Sequence, residues 1–334
     1  MRTPPKAGDK KSMLGLANEN FLAPLPVPTG RKPNNTMGMV WRINSTYMDV
    51  SDCTPGSAVA TLHCTLVLTI LIMFWIGSVM GADFYLKEWV GWLLVLVLVL
   101  GFVIVPMLAI ITLVFAKPRE PVRFNRQRRE VCAPKEKGGD YWYVPWETVK
   151  ASVEGFNMVS QAGVNKNGSL MIGFPNPDFN GEIKLGSNGF STNEDAERHL
   201  WFPNVVPEVG AGMWELIRTY MEEGPDKLTV HTDMFEIKSK SIFASYIEDI
   251  QYGIEKRGLA KGLLWEGVCG LFLFNLPLVD YIERKHLNPP PDLKGEKVQQ
   301  WSKSLPKEQW ARRSPELEQA IQAREAELAR QSAA

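Results

Sequence analysis

Four histidines, His63, His199, His231 and His286, are the side chains best suited to moving a proton near neutral pH, and they are scattered along the chain. No HExxH pair and no paired His/Cys spacing is present, so the zinc-site patterns are missing. Neither a glycine-rich phosphate loop nor a GxSxG nucleophile elbow occurs. His231 and Asp233 fall in a polar stretch and read as a surface pair. Glu194, Asp195 and Glu197 crowd the TNEDAER segment. They lie too close together to flank a substrate as acid and base, and read as a solvated loop or helix start. Cys53, Cys64, Cys132 and Cys269 show no CxxC spacing, which suits a reducing compartment better than a disulfide framework. The sequence therefore offers no catalytic, metal or cofactor site, and it reads as a non-enzyme with no cofactor.

Binding is the better-supported chemistry. Arg126, Arg128 and Arg129 in RQRREVC stand close to Tyr141, Trp142, Tyr143 and Trp146. Arginine and large aromatics are the residue types enriched at binding hot spots, and cations beside amphipathic rings also suit a membrane interface. Strand alternation puts Tyr141 and Tyr143 on one face and Trp142 on the other, and core packing takes most of these rings. Arg126, Arg128, Arg129, Tyr143 and Trp146 are the candidate contact residues, for a protein partner or for membrane lipid. The formal net charge of +0 excludes a general nucleic-acid binder.

These residues need a scaffold. Residues 117–228 read as an α+β domain. Val122 to Cys132 forms a hairpin, Asp140 to Val153 a strand, a bend at Pro145 and another strand, and Ser169 to Phe174 and Glu182 to Leu185 further strands. Pro207 then opens an amphipathic helix that closes the antiparallel sheet, with Glu208, Glu215, Arg218, Glu222 and Glu223 on its polar face and Gly224-Pro225 as the stop. Residues 1–57, rich in Pro, Gly, Asn and Lys, read as a flexible region in which only Met39 to Val50 alternates like a strand. Residues 229–287 form a helical region. Residues 288–334 form a polar tail with two exposed tryptophans, Trp301 and Trp310, and a final helix from Ser314.

Two apolar runs decide the solvent. Val59 to Gly81 and Trp89 to Ala116 contain no Asp, Glu, Lys or Arg. Each is long enough for a hydrocarbon core of roughly 30 Å, which needs about 20 helical residues. The short linker Ala82 to Glu88 makes them a transmembrane helical hairpin, so residues 58–116 anchor the chain. Lys117, Arg119, Arg123, Arg126, Arg128 and Arg129 follow the second run, and a comparable set precedes the first. Both termini are thus expected in the cytoplasm. A third apolar segment, Gly262 to Tyr281, carries Glu266, Asn275, Pro277 and Asp280. It reads as a helix at the membrane surface or packed on the domain, in preference to a third span.

Three blocks carry a family resemblance, RFNRQRREV (Arg123 to Val131), YVPWETVKA (Tyr143 to Ala151) and MWELIRTYMEEGP (Met213 to Pro225). Together with the two spans they resemble an uncharacterised proteobacterial membrane family, a domain of unknown function, over about residues 40–285. The arrangement is similar to bacterial pleckstrin-homology-like (PH-like) modules. The resemblance implies a multi-pass protein of the bacterial inner membrane found near type VI secretion and toxin loci, acting as an immunity or accessory factor. A membrane-acting toxin or pore-former is the alternative. The family offers no catalytic residues to carry over.

Overall fold

The computed structural model describes residues 5–13, 17–35, 38–52, 55–80, 89–115, 119–135, 141–160, 163–186, 189–228, 241–287 and 290–333. It divides into two compact units. A sheet unit comprises residues 1–52, 120–234 and 292–334, and a helical unit comprises residues 53–119 and 235–291.

The sheet unit holds two antiparallel five-stranded sheets. The first runs β3 (Val40–Ile43), β4 (Tyr47–Val50), β5 (Val122–Asn125), β6 (Glu130–Pro134), β7 (Tyr141–Pro145), in that order. The second runs β1 (Lys10–Met13), β2 (Ala17–Ala23), β8 (Lys150–Ser160), β9 (Gly163–Pro175), β10 (Glu197–Pro203). The β5–β6 hairpin turns on Asn125, whose side-chain oxygen accepts from the backbone N–H of Gln127 at 3.1 Å and of Arg128 at 3.2 Å. An Asx turn of this kind is local chemistry that a short polar side chain supplies. The expected strand at Glu182 to Leu185 is reduced to one bridge between Leu185 and Ser191.

Alternation builds the core. Ala151, Val153, Leu170, Ile172, Phe174, Leu200 and Phe202 point inward from the second sheet and meet Met213, Trp214, Leu216, Ile217 and Tyr220. The latter belong to the first helix of the sheet unit, Pro207–Glu222, which has Pro at its N-terminal turn as expected. Gly210 allows that helix to sit close, since a Cβ there would lie 3.3 Å from Val153. The helix ends ahead of Gly224, at φ +97. A Cβ at Gly224 would also meet the Arg126 guanidinium at 2.8 Å, so both backbone and space call for glycine.

Two expectations about this unit are corrected. Residues 1–57 are not a flexible leader over their described length, because they supply β1 to β4. β2 pairs with β8, from Ala17↔Phe156 to Ala23↔Ala151, and β4 pairs with β5, from Tyr47↔Asn125 to Val50↔Val122. Main-chain pairing with distant strands offsets the weak strand propensity of the segment. The α+β domain is also not closed at 117–228, because residues 292–334 complete it. Glu215 and Arg218, expected on the polar face of the helix, are buried, and so is the Glu222 side chain. Thr29 covers that face from one side, its N–H and hydroxyl both donating to Glu215 at 2.8 and 2.7 Å. Arg313 reaches it from another.

In the helical unit, α1 (Pro55–Met80) contains Ala58–Val79, the one helix among the described residues long and apolar enough to cross a membrane. The second run is helical but interrupted: α2 (Trp89–Leu98), a π-helical turn (Val99–Ile104) and α3 (Val105–Phe115) follow one another, and the expected linker lies outside the described residues. α1 packs against α3. The helix Pro207–Glu222 is α4. After it come α5 (Ile242–Arg257), capped by Ser241 accepting from Ala244 N–H, then α6 (Leu259–Gly262), a π-helical stretch (Leu263–Leu273) and α7 (Leu276–Leu287). The third apolar segment is therefore not one rod. It bends by 64° at Asn275, which has φ +51.

Candidate functional site

The five candidate contact residues come together, and the chain's own C-terminal segment occupies them. Glu222 is the hub. Its side chain is 0% exposed, and it accepts from Arg129 at 2.9 and 3.0 Å, from the Trp146 indole at 2.8 Å and from Arg313 at 2.5 Å. Burial alone would raise this carboxyl. The hydrogen bonds and charge of Arg129, the Trp146 N–H and the charge of Arg313 more than offset that and hold it below the usual range. Trp146 is fully buried, stacked on Trp214 with centroids 5.3 Å apart. Arg129 also meets Glu147 at 3.2 Å, and Glu147 accepts the Ser314 N–H at 3.0 Å.

The other three candidates face the same segment. The Arg128 guanidinium donates to the Trp301 carbonyl at 2.9 Å, and Arg126 lies 5.2 Å from the Trp310 ring centroid. Tyr143 meets Trp301 edge-on at 5.3 Å and Lys297 caps its ring at 5.0 Å. Burial pushes its hydroxyl up to about 12. The Trp301 N–H donates to Glu130 at 2.7 Å. Trp301 and Trp310 are thus docked side chains and not exposed ones. Leu293 and Val298 cover Cys132, whose thiol burial pushes well above its ordinary value.

A second charged knot lies on the same sheet. Arg123 binds Asp49 at 2.6 and 2.8 Å and Asp292 at 2.6 Å, and stacks over Tyr47 at 3.8 Å. Arg42 joins it, at 3.0 Å from Asp49 and 3.2 Å from Asp292. Burial opposes the Arg123 cation, and the Asp49 carboxylate beside it more than reverses this, so it stays charged. Sequence reasoning missed Arg123, Asp49, Glu222 and Arg313 as site members. The available signal was two tryptophans in an otherwise polar tail, since such rings seldom remain in water without a partner surface.

Elsewhere in the sheet unit the groups are structural. Glu197, expected in a solvated segment, is buried at the start of β10, where it accepts from Lys150 at 3.1 Å and from the Ser191 N–H at 2.5 Å. Glu19 is buried on β2 opposite Glu154, and burial first, then Glu154, push its carboxyl up against the pull of Ser152 and Lys11. His231 and Asp233 lie outside the described residues. No group of three or more His, Cys, Asp or Glu suited to a metal occurs among the described residues.

Buried ion-pair knots closed by a returning segment characterise the sheet unit, and an apolar helical unit is inserted between its stretches of chain. A family of unknown function, DUF6708, matches residues 99–313, well over half of the chain, and the chain belongs to that family. The matched region ends at Arg313 and so takes in Trp301, Trp310 and the Glu222 hub. Comparisons with curated proteins and with solved structures gave no match.

Proposed function

We propose that this chain is a membrane-anchored, non-enzymatic binding protein of a bacterial inner membrane. In this reading residues 58–116 cross the bilayer as a hairpin and the sheet unit lies in the cytoplasm. The observation that carries it is apolar surface facing outward. Phe74 is 77% exposed, Trp75 64%, Trp89 74% and Phe115 74%, alongside Leu71, Ile72, Leu96 and Val97. Soluble monomers rarely expose contiguous apolar patches beyond a few hundred Å². Connectivity agrees with an even number of crossings, because β4 and β5 flank this excursion and are hydrogen-bonded neighbours. Likeness to PH-like modules belongs to the same reading, through two antiparallel sheets closed by one helix.

A role as an immunity or accessory factor in interbacterial competition rests on the family resemblance. The partner would be a toxin or a secretion component. It would reach Arg126, Arg128 and Tyr143 only by displacing residues 292–334. The pore-forming alternative has less support, since Glu266, which would line its wet path, is held by Arg257 at 2.7 Å. Washing membranes with alkaline carbonate tests the anchor. The chain is expected to stay with the lipid and to leave only with detergent, and release by carbonate overturns the reading. Expression in a naive host separates the two roles, because growth arrest with depolarisation fits only the pore-former.

A further inference from the structure

We infer that residues 259–287 form a shallow re-entrant bend seated in one leaflet, entering and leaving from one side, and not a further crossing. The inference rests on the membrane reading above and deepens it. It follows from connectivity, length and charge placement.

Connectivity forbids a single crossing. Residues 292–334 lie after the segment in the chain, yet they bond residues that precede it. Asp292 meets Arg123 at 2.6 Å, the Asn125 amide donates to the Trp301 carbonyl at 3.1 Å, and Arg313 meets Glu222 at 2.5 Å. The stretches on either side of residues 235–291 belong to one folded unit, so both lie on one side of any bilayer, and the charged helix α5 before the segment is no span.

Length forbids a double crossing. At 1.5 Å per residue the arm Leu259–Leu273 reaches at most about 22 Å and the arm Leu276–Leu287 about 18 Å, against roughly 30 Å of hydrocarbon. The 64° bend at Asn275 is less than a right angle, so the two arms make a shallow V that can dip into one leaflet and come out again.

Charge placement supplies the depth. Gly267 to Val279, around the bend, contains no charged residue. The nearest carboxylates on either side are neutralised, Glu266 by Arg257 at 2.7 Å and Asp280 by Arg284 at 2.7 and 3.0 Å. Beyond those two paired arginines, Lys256 and Lys261 stand at the open end before the tip and Lys285 at the one after. Leu259, Leu263, Trp265, Val268 and Phe272 stand exposed between. An uncharged tip with basic residues at both mouths matches one leaflet of anionic lipid, where each nearby cation contributes about 1 kcal/mol.

Single cysteines in the otherwise cysteine-free full-length chain test this in spheroplasts with a membrane-impermeant maleimide. Lys87→Cys is expected to react in intact spheroplasts. Lys135→Cys and Lys303→Cys are expected to react only after lysis, and Leu276→Cys to stay unreactive in intact spheroplasts. Reaction of Leu276→Cys from outside to the extent of Lys87→Cys overturns the re-entrant path and leaves the anchor standing, as does outside reaction of Lys303→Cys. Failure of Lys87→Cys to react before lysis overturns the anchor itself. A spin label at position 276 in reconstituted protein is expected to collide more with oxygen than with a water-soluble nickel chelate, and the reverse preference overturns the inference whatever the labelling yields.

Discussion

In the sheet unit Asp49, Arg123, Arg129, Arg218 and the Glu222 side chain are out of water, and each meets a partner of opposite charge. In the helical unit many large apolar side chains of α1 to α3, Phe74, Trp75, Trp89 and Phe115 among them, face outward instead. Both patterns invert the usual rule for a soluble domain. They do so for different reasons. A buried ion is costly unless fully bonded, so the sheet unit must keep its returning segment docked. An outward leucine is costly only in water, and this is what supports the membrane reading proposed for the helical unit.

Removing the hub should give the largest effect on this contrast. Glu222→Gln leaves Arg129 and Arg313 facing a neutral amide, and breaking a buried pair by removing one partner typically costs about 3–5 kcal/mol. The midpoint of thermal unfolding of the detergent-solubilised chain should fall accordingly, and an unchanged midpoint would remove the hub from the account. Next in size is Leu71→Asp, at an exposed position of α1, which insertion scales put at about 2.5–3.5 kcal/mol at a helix centre. It should shift the chain out of the membrane fraction, whereas an exposed apolar-to-charged change in a soluble domain should be silent.

Trp301→Ala deletes the ring packed on Tyr143 and the bond to Glu130. At a half-buried site this should cost about 2–3 kcal/mol. Because Leu293 and Val298 cover Cys132, the sharper readout is a faster reaction of that thiol with a maleimide. No acceleration would show that the segment stays down without its tryptophan. The smallest effect is a gradual one with pH. Glu222 and Asp292 both have carboxyls lowered in the folded chain, so their contribution is complete above the ordinary carboxylate values and is lost as pH falls through the lowered ones. Tryptophan fluorescence should report loosening of residues 292–334 on acidification, and the Glu222→Gln variant should lose most of that dependence.

Local chemistry was the legible part of the sequence. The β5–β6 turn is written in Asn125, the bend before β8 in Pro145 and Trp146, and the ends of α4 in Pro207 and Gly224. Non-local pairing was not legible. β2 finds β8 more than a hundred residues away, and nothing in ANENFLA announces a strand except the alternation of buried Glu19, Phe21 and Ala23, one of which is a carboxylate. The candidate cluster was legible in composition. Arginines beside aromatics marked a face that the chain covers with its own tail, the segment that polarity alone had assigned to solvent. The third apolar segment could not be read as bent, because the left-handed backbone at Asn275 is a property of the folded chain.

Interleaving two excursions between three stretches of one domain also sets an order of manufacture. During synthesis the first four strands emerge with no partner to the right of β4, since β5 lies beyond both apolar runs. On the proposed membrane reading, insertion therefore comes before the domain can assemble. Until the ribosome has released Arg313, Glu222 lacks one of its bonds, so on that reading a message cut short near codon 292 would yield a chain already inserted but unable to finish folding.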